Sequence, residues 1–228
     1  MPQNWHKIAL AELIGAFALS FIGVLAISGG GIAGAPGAAS LTSIALAHGL
    51  TIAVMIAAVG AISGGHFNPA VTFGFVVTGR MNPVTGLMYW IAQLAGATIA
   101  GFMLVACFGA APVANATPDF AASLPIGSAF MLEAVTTFFL VLVVFGSAVD
   151  PRAPKSVYPL AIGLTVALDI MAIGPLTGAA MNPSRVFGPA LASGHWNNHW
   201  LYWAAPLLGG ALAGLVYHFV LAEPKSEA

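Results

Sequence analysis

Residues 63–74 read SGGHFNPAVTFG, and their Asn-Pro-Ala step follows a long apolar run. Residues 177–188 read TGAAMNPSRVFG and repeat the Asn-Pro step, with the same Phe-Gly downstream. Asparagine is a favoured helix N-cap, and proline suits the first helical position because its missing N–H would have no partner there. The two stretches therefore predict helices that begin at Pro69 and at Pro183.

The composition indicates a membrane protein. Of 228 residues, 59% are hydrophobic and 6% are charged, whereas a soluble domain carries roughly 25% charged residues. A helix needs about 20 apolar residues to cross the hydrocarbon layer of a bilayer. Apolar stretches bounded by Gly, Pro or polar clusters predict six spans, near residues 8–27, 41–62, 84–108, 128–149, 157–173 and 200–222.

The charge and cysteine content exclude several classes of function. Six Lys or Arg against seven Asp or Glu provide no basic patch, which excludes nucleic acid as a partner. The single cysteine, Cys107, has no partner for a disulfide or a thiolate metal site, so we expect it to pack within its apolar run. The sequence shows neither paired acids nor a metal-ligand spacing, so we expect that the protein is not an enzyme and needs no cofactor or metal.

The two halves of the chain resemble each other. YWIAQLAGATIAG from Tyr89 and YWAAPLLGGALAG from Tyr202 agree at seven positions, at an offset of 113 residues. We predict one transmembrane domain over residues 1–228, with repeats at about 1–113 and 122–228. Because each repeat has three spans, an odd number, the second repeat must enter the membrane from the opposite side.

The segments after the two Asn-Pro steps are too short to cross a bilayer. At about 1.5 Å per residue, each predicts a half-helix that reaches roughly halfway. Inversion brings the two N-termini together near the midplane, where broken backbone is tolerated only if it lines a cavity or is buried in protein. Their free N–H groups and the amides of Asn68 and Asn182 predict a pore that binds neutral polar molecules and repels cations.

The basic residues predict the orientation. Five of the six lie on one predicted face: Lys7, Arg80, Arg152, Lys155 and Lys225. By the positive-inside rule this face is cytoplasmic, which predicts a multi-pass protein of the cell membrane with both termini in the cytoplasm. Arg185 is the exception, and an ionisable group at membrane depth normally faces a cavity or a partner. Asp169 is expected to pair with Arg185 or to face another subunit.

Both Asn-Pro stretches resemble the signature loops of the aquaporin family. The residues that carry the resemblance are GGHFNPAVTFG and MNPSRVFGPA, and the six-span duplication is similar along nearly the whole chain. The resemblance implies an all-α membrane protein with six transmembrane helices and two re-entrant half-helices in an inverted repeat, assembled as a homotetramer. It places six residues at the central constriction: Asn68, Pro69, Ala70, Asn182, Pro183 and Ser184. Ser184 departs from the alanine more often found in the family, which leaves the constriction width open.

The same resemblance places a selectivity filter at His48, Ile170, Ala179 and Arg185. This set is similar to that of plant tonoplast-type channels, several of which are associated with ammonia or urea as well as water. Ala179 is expected to widen the filter, while His48 and Arg185 are expected to donate hydrogen bonds to the solute. The predicted function is a passive channel for water, with ammonia, urea or other small neutral solutes as further candidates.

Several other polar residues lie near the predicted pore. Glu12 and Glu133 occupy matching repeat positions, where they are expected to support the broken loop backbone. The resemblance places His66 near the cytoplasmic mouth, with simple packing as the alternative. His195 and His199 have no accompanying carboxylate in the sequence, so we interpret them as an interfacial anchor rather than a metal site.

Two other transport functions remain as alternatives. A glycerol facilitator fits less well, because such members resemble Asn-Pro-Ala-Arg-Asp with a basic residue four places after the Arg, where this chain has Val186 and Ala190. A secondary transporter also uses inverted repeats and half-helices. It would need a coupling site, for which Glu12, Glu133 and Asp169 are the candidate acids.

Overall fold

The computed structural model describes residues 2–32 and 39–223, and these residues form helices joined by short connections. The described helices are α1 (Trp5–Ile32), α2 (Leu41–Ser63), α3 (Pro69–Val77), α4 (Pro83–Phe108), α5 (Ala110–Ala116), α6 (Ile126–Val143), α7 (Tyr158–Thr177), α8 (Pro183–Ser193) and α9 (Leu201–Val216). Short π-helical segments extend α6 through Val149 and α9 through Leu221.

Six of the described helices are long and apolar enough to cross a membrane, which confirms the predicted fold class. The predicted spans differ from them chiefly at the ends. The fifth helix continues to Thr177, past the predicted end at 173, because Pro175 interrupts only its last turn. Gly178 then ends the helix with φ 81° and donates its N–H to the carbonyl of Gly174. The short helix α5 was not predicted.

The half-helices α3 and α8 begin as the sequence predicts. Asn68 Oδ1 accepts the N–H of Ala70 at 2.8 Å, and Pro69 occupies the first helical position. Asn182 Oδ1 accepts the N–H of Ser184 at 3.0 Å in the same arrangement. Each asparagine therefore satisfies a donor that the start of the helix leaves free.

The two repeats pack their helices in the same way. The first helix of each repeat lies against the third, α1 on α4 and α6 on α9. A Cβ placed on Gly96 of α4 would lie 2.1 Å from the carbonyl oxygen of Leu13, and one on Gly209 of α9 would lie 2.1 Å from that of Ala134. Gly96 and Gly209 are 113 residues apart, the offset seen in the sequence. Glycine thus allows equivalent backbones to touch in both halves.

One end of the helix bundle is tied together by charged residues. Arg152 bonds both carboxylate oxygens of Asp150 and reaches the carbonyl of Leu221 at 3.1 Å. The Arg152 guanidinium holds the pKa of the Asp150 carboxyl well below its usual range. Arg80 lies 3.2 Å from His218 on the segment that extends α9. Three of the basic residues predicted to share a face, Arg80, Arg152 and Lys155, meet at this end, while Lys225 lies outside the described residues.

Candidate functional site

A cavity of about 440 Å³ runs through the middle of the bundle. Lys155 and Tyr158 line one end of it, and Arg185 lines the other. Between them the wall includes both signature asparagines, Asn68 and Asn182. The broken loops therefore face a cavity, as the physical chemistry of membrane-buried backbone requires.

A second cavity, of about 350 Å³, lies beyond Arg185. It shares Ile170 and Arg185 with the first cavity, so these two side chains stand between the two spaces. Polar residues line it, among them Asn115 at the end of α5 and Asp119 of the connection that follows. The two cavities thus meet at two of the residues predicted to form the filter.

The two half-helix tips are joined by a pair of crossed hydrogen bonds. Asn68 Nδ2 donates to the carbonyl of Met181 at 2.8 Å, and Asn182 Nδ2 donates to the carbonyl of Phe67 at 2.9 Å. Each side-chain amide has two N–H groups. One fixes the opposite loop, and the other is available to a molecule in the cavity.

The residues before the two asparagines have an unusual backbone. Phe67 has φ 49° and Met181 has φ 51°, values that side chains larger than glycine adopt rarely. Such a conformation costs about 1–3 kcal/mol and persists only where the surroundings impose it. The carboxylates described next supply that constraint.

Glu12 holds the first loop from α1. Its carboxylate accepts the backbone N–H groups of His66 at 2.9 Å and Phe67 at 2.7 Å. It also accepts from the side chains of Ser63 at 2.7 Å and Gln93 at 2.8 Å. Glu12 is completely buried, so these four donors replace the water that the carboxylate has lost.

Glu133 holds the second loop in the equivalent way. Its carboxylate accepts the backbone N–H groups of Ala180 and Met181, both at 2.9 Å, and the hydroxyl of Thr177 at 2.6 Å. Neither Glu133 nor Glu12 lines the central cavity. Both carboxylates therefore act on the loop backbone rather than on a molecule in the path.

His48 lines the central cavity beside Arg185, but its hydrogen bonds differ from those predicted. Its Nδ1 lies 2.8 Å from the carbonyl of Ile44, which can only accept, so Nδ1 carries the proton. Its Nε2 lies 3.1 Å from Arg185 Nη2, which can only donate, so Nε2 carries a lone pair. The imidazole is neutral and has no N–H left for a solute. The prediction of His48 as a donor was therefore wrong.

Arg185 lines both cavities, and its guanidinium can donate hydrogen bonds there. Its Nε and Nη1 atoms are buried and have no hydrogen-bond partner among the described residues. No carboxylate in the described ranges lies within ion-pair distance of its guanidinium. The predicted pairing of Asp169 with Arg185 is wrong, and one carboxylate oxygen of Asp169, Oδ2, is likewise buried without a partner there.

His66 faces the same cavity with a defined tautomer. The Thr72 hydroxyl donates to the carbonyl of Asn68 at 3.1 Å, so its oxygen accepts from Gln93 Nε2 and from His66 Nδ1. His66 Nδ1 therefore carries the proton and its Nε2 a lone pair. We expect Nε2 to accept a hydrogen bond from a molecule in the cavity.

Ser184 uses its hydroxyl within its own loop. Its Oγ donates to Asn182 Oδ1 at 2.8 Å, and the half-helix forms as it would with alanine at this position. Ala179, fully buried and with φ 45°, is part of the cavity wall. Serine for alanine at the second signature therefore leaves the start of α8 intact.

The histidines before α9 lie away from the central cavity. His195 Nε2 lies 3.5 Å from Asp119 Oδ2, so a carboxylate does accompany it, contrary to the prediction. His199 Nε2 accepts from the indole N–H of Trp203 at 3.0 Å, and burial lowers the pKa of His199. Among the described residues, no group of three or more possible ligands could hold a metal ion.

The family model of the major intrinsic proteins matches residues 2–217. The chain belongs to the major intrinsic protein family. Members of this family are channels rather than enzymes, which confirms the prediction of a membrane channel. The fold, the paired half-helices and the central cavity agree with this assignment.

Several plant members of the aquaporin family are similar to this chain along most of its length. Aquaporin TIP2-1 of Arabidopsis thaliana is 47% identical over 179 residues, which cover 78% of this chain and 71% of the relative. Aquaporin TIP4-4 of Zea mays is 45% identical, covering 92% and 85%. Aquaporin TIP1-1 of Arabidopsis thaliana is 42% identical, covering 97% and 89%. The resemblance to tonoplast-type channels is confirmed by these relatives.

A solved structure has the same fold. The aquaglyceroporin from Plasmodium falciparum superposes with a TM-score of 0.79, covering 96% of this chain and 97% of its own, at 23% sequence identity. At that identity the likeness concerns the fold alone.

Gln93 and Thr72 are site residues that the sequence analysis missed in this aquaporin-family chain. Gln93 bonds both Glu12 and Thr72, and so links α1 to the half-helix α3. A signal was present, because Gln93 is the one amide in the apolar repeat segment from Tyr89, and the matching position in the second copy is Pro206. A polar residue on a buried face needs a partner, and the partner is Glu12.

Cys107 provides a test of which surface forms the path. The structure places it on an exposed surface of α4, not packed as predicted, and outside the wall of the central cavity. We expect mercuric chloride to modify Cys107 without lowering water permeability, because the adduct lies off the path. Mass spectrometry of the adduct and stopped-flow light scattering measure the two effects, and Ile170→Cys, inside the cavity wall, is a positive control that mercury should block. Inhibition of the wild type that Cys107→Ser abolishes would contradict this placement.

Proposed function

We propose that this chain is a passive channel that conducts water in single file and also admits ammonia and urea. The observation that carries the proposal is the cavity that passes both half-helix tips and reaches Arg185. The family and the aquaporin relatives support water as the permeant molecule.

The central section favours neutral polar molecules. The positive N-terminal ends of α3 and α8 meet there, and one N–H of each asparagine amide faces no protein acceptor. A water oxygen can accept these hydrogen bonds, whereas a cation would lose its hydration shell next to two partial positive charges. We therefore expect hydrated cations and hydronium to be turned away at this point.

The proposed filter supports ammonia and urea as further solutes. The neutral imidazole of His48 is held against Arg185, which leaves the Arg185 Nε and Nη1 donors for a passing oxygen or nitrogen. Ile170 and Ala179 add apolar walls. A small solute with one acceptor, such as ammonia or urea, meets donors on one side and hydrocarbon on the other.

We also propose the assembly and the membrane setting. A homotetramer with one path per subunit follows from the family resemblance, and Leu160, Leu164 and Leu168 on α7 are exposed apolar residues that neighbouring subunits or lipid would cover. The charged end that contains Arg80 and Arg152 supports cytoplasmic termini, and we propose the cell membrane as the setting. Mass measurement of the purified oligomer and accessibility of terminal tags in intact cells test these two points.

Flux measurements on purified protein in liposomes test the proposed function. Stopped-flow light scattering with water, ammonia, urea and glycerol should show fast water flux without any ion gradient, with ammonia and urea above empty liposomes and glycerol close to them. Flux that requires a proton or sodium gradient would instead support a secondary transporter. Liposomes that contain folded protein but transport water no faster than empty ones would refute the channel.

Replacing His48 tests the filter assignment. Phenylalanine has no lone pair for Arg185 Nη2, so in His48→Phe we expect the guanidinium to move into the path beside a bulky ring. Urea and ammonia permeability should fall about tenfold relative to water, a loss typical of a modest steric change in a fitted site. His195→Phe, the same substitution outside the central cavity, should leave all three permeabilities unchanged. Equal loss of water and urea flux in His48→Phe would point to misfolding and would count against the assignment.

A further inference from the structure

The inward face of α1 touches both the first broken loop and the filter. Glu12 and Gly23 are eleven residues apart, which is close to three full helical turns, so they share one face about 16 Å apart along the axis. Glu12 holds the N–H groups of the first loop. Gly23 lies behind His48, and this second contact has no counterpart in the sequence reasoning.

The imidazole of His48 fills the space where a side chain at position 23 would lie. A Cβ placed on Gly23 would be 2.4 Å from His48 Nε2 and 2.9 Å from its Cδ2. These separations are far inside the 3.5–4.0 Å of ordinary contact between heavy atoms. The crowded atom, Nε2, is also the one that accepts from Arg185 Nη2 at 3.1 Å. A methyl group at position 23 would therefore act on the hydrogen bond that positions the arginine.

We propose that Gly23 is a positioning residue of the selectivity filter, which seats the His48 ring against α1 and thereby holds Arg185 at the wall of the path. The inference rests on the proposed function. Three contacts define the ring: the Gly23 backbone behind it, the Ile44 carbonyl on Nδ1 and Arg185 on Nε2. Gly23 determines how close the His48 ring lies to α1, and therefore how much of the filter is open to urea.

The second repeat supports this role, because its position that matches Gly23 is not a glycine and its position that matches His48 is not a histidine. Glu12 and Glu133 are 121 residues apart, and the same offset from Gly23 leads to Val144. Val144 lines the central cavity itself. Ser63 and Thr177, which bond the two carboxylates in the same way, are 114 residues apart, and the same offset from His48 leads to Ile162, which has no imidazole to be seated. The glycine therefore accompanies the imidazole and is not a general requirement of the first helix in each repeat.

The expected effect of a side chain at position 23 follows from the distances. To relieve the contact, the imidazole must move by about 1 Å away from α1, towards the cavity that His48 lines on its other side. Narrowing a single-file path by that distance should restrict urea, the larger molecule, more than water. In Gly23→Ala we expect urea permeability to fall about tenfold and water permeability to fall less, so the ratio of the two changes.

Four proteins in liposomes test the proposal: the wild type, Gly23→Ala, Gly29→Ala and the double variant Gly23→Ala with His48→Ala. Gly29 is a matched control, because it lies on the same helix and a Cβ there meets no atom of the described residues within 4 Å. Stopped-flow light scattering gives the urea to water permeability ratio of each. We expect Gly29→Ala to equal the wild type, and the double variant to regain the urea flux that Gly23→Ala loses, since the ring that the methyl group displaces is gone.

The outcomes separate this proposal from the proposed function. Water flux in the wild type and in Gly29→Ala reports whether the chain is a channel, whatever happens at position 23. An unchanged permeability ratio in Gly23→Ala overturns the positioning role, and so does a double variant that stays as restricted as the single one. If Gly23→Ala fails to fold, the double variant must fold and conduct, and its failure to do so would also overturn the proposal.

Discussion

Arg185→Val should turn a channel that excludes ions into one that leaks them. The guanidinium stands between the two cavities and has no carboxylate within ion-pair distance among the described residues, so its charge acts on whatever passes. One unit charge at about 6 Å, in a medium of effective dielectric about 20, raises the energy of a passing cation by about 3 kcal/mol. That energy corresponds to a factor of about 100 in permeability. Valine should also admit larger solutes, because its side chain is much shorter.

Arg80→Val is the matched control for this experiment. Arg80 is exposed at the charged end of the bundle, and its removal leaves the filter unaltered. Proton flux into liposomes loaded with a pH-sensitive dye, together with urea permeability, should rise for Arg185→Val and stay at the wild-type value for Arg80→Val. Intact ion exclusion in Arg185→Val would show that the half-helix ends suffice and that the filter charge is dispensable.

Glu12→Ala should unfold the first broken loop and abolish transport. The substitution removes the acceptor of two buried backbone N–H groups, of His66 and Phe67, and of two buried side-chain donors, the Ser63 hydroxyl and one N–H of Gln93. Each orphaned donor costs about 1–3 kcal/mol, so the total of about 4 kcal/mol or more is a large fraction of a typical folding free energy of 5–15 kcal/mol. Phe67 would also lose the contact that imposes its positive φ.

Thermal unfolding in detergent and water flux in liposomes measure this effect. Glu223→Ala is the control, because its side chain is 72% exposed and an exposed ion pair contributes about 1 kcal/mol at most. Glu12→Gln keeps one oxygen as an acceptor and should fall between the wild type and Glu12→Ala. An Ala variant with the unfolding temperature and water flux of the wild type would show that the loop keeps its shape without the carboxylate.

The features that the sequence predicted well depend on local chemistry or on large numbers of apolar residues. The six long helices follow from hydropathy, and the starts of α3 and α8 follow from asparagine caps and proline at the first position. The repeated segments at Tyr89 and Tyr202 predict a duplication, and the equivalent contacts of Gly96 and Gly209 are consistent with it. It also explains why Glu12 and Glu133, far from each other in the chain, take equivalent places beside the two loops.

The features that the sequence predicted poorly depend on contacts between individual atoms of residues that lie far apart in the chain. The donor role expected of His48 failed because its two ring nitrogens are committed to Ile44 and Arg185, which no spacing in the sequence reveals. The pairing expected of Asp169 failed for the same kind of reason. Nothing in the sequence indicates a role for Gly23, because only the structure shows that the His48 ring occupies the space beside this glycine.

The crossed bonds between the asparagine amides and the opposite loops have a consequence for biosynthesis. During translation the first repeat emerges with Phe67 O and the Asn68 amide facing partners that the ribosome has not yet made. The narrow passage is complete only after residue 182 has been added and inserted. A nascent or truncated chain that ends before residue 182 therefore lacks the partners of both crossed bonds and cannot form the passage. A cell that produces this protein gains permeability only after the second repeat has been inserted beside the first.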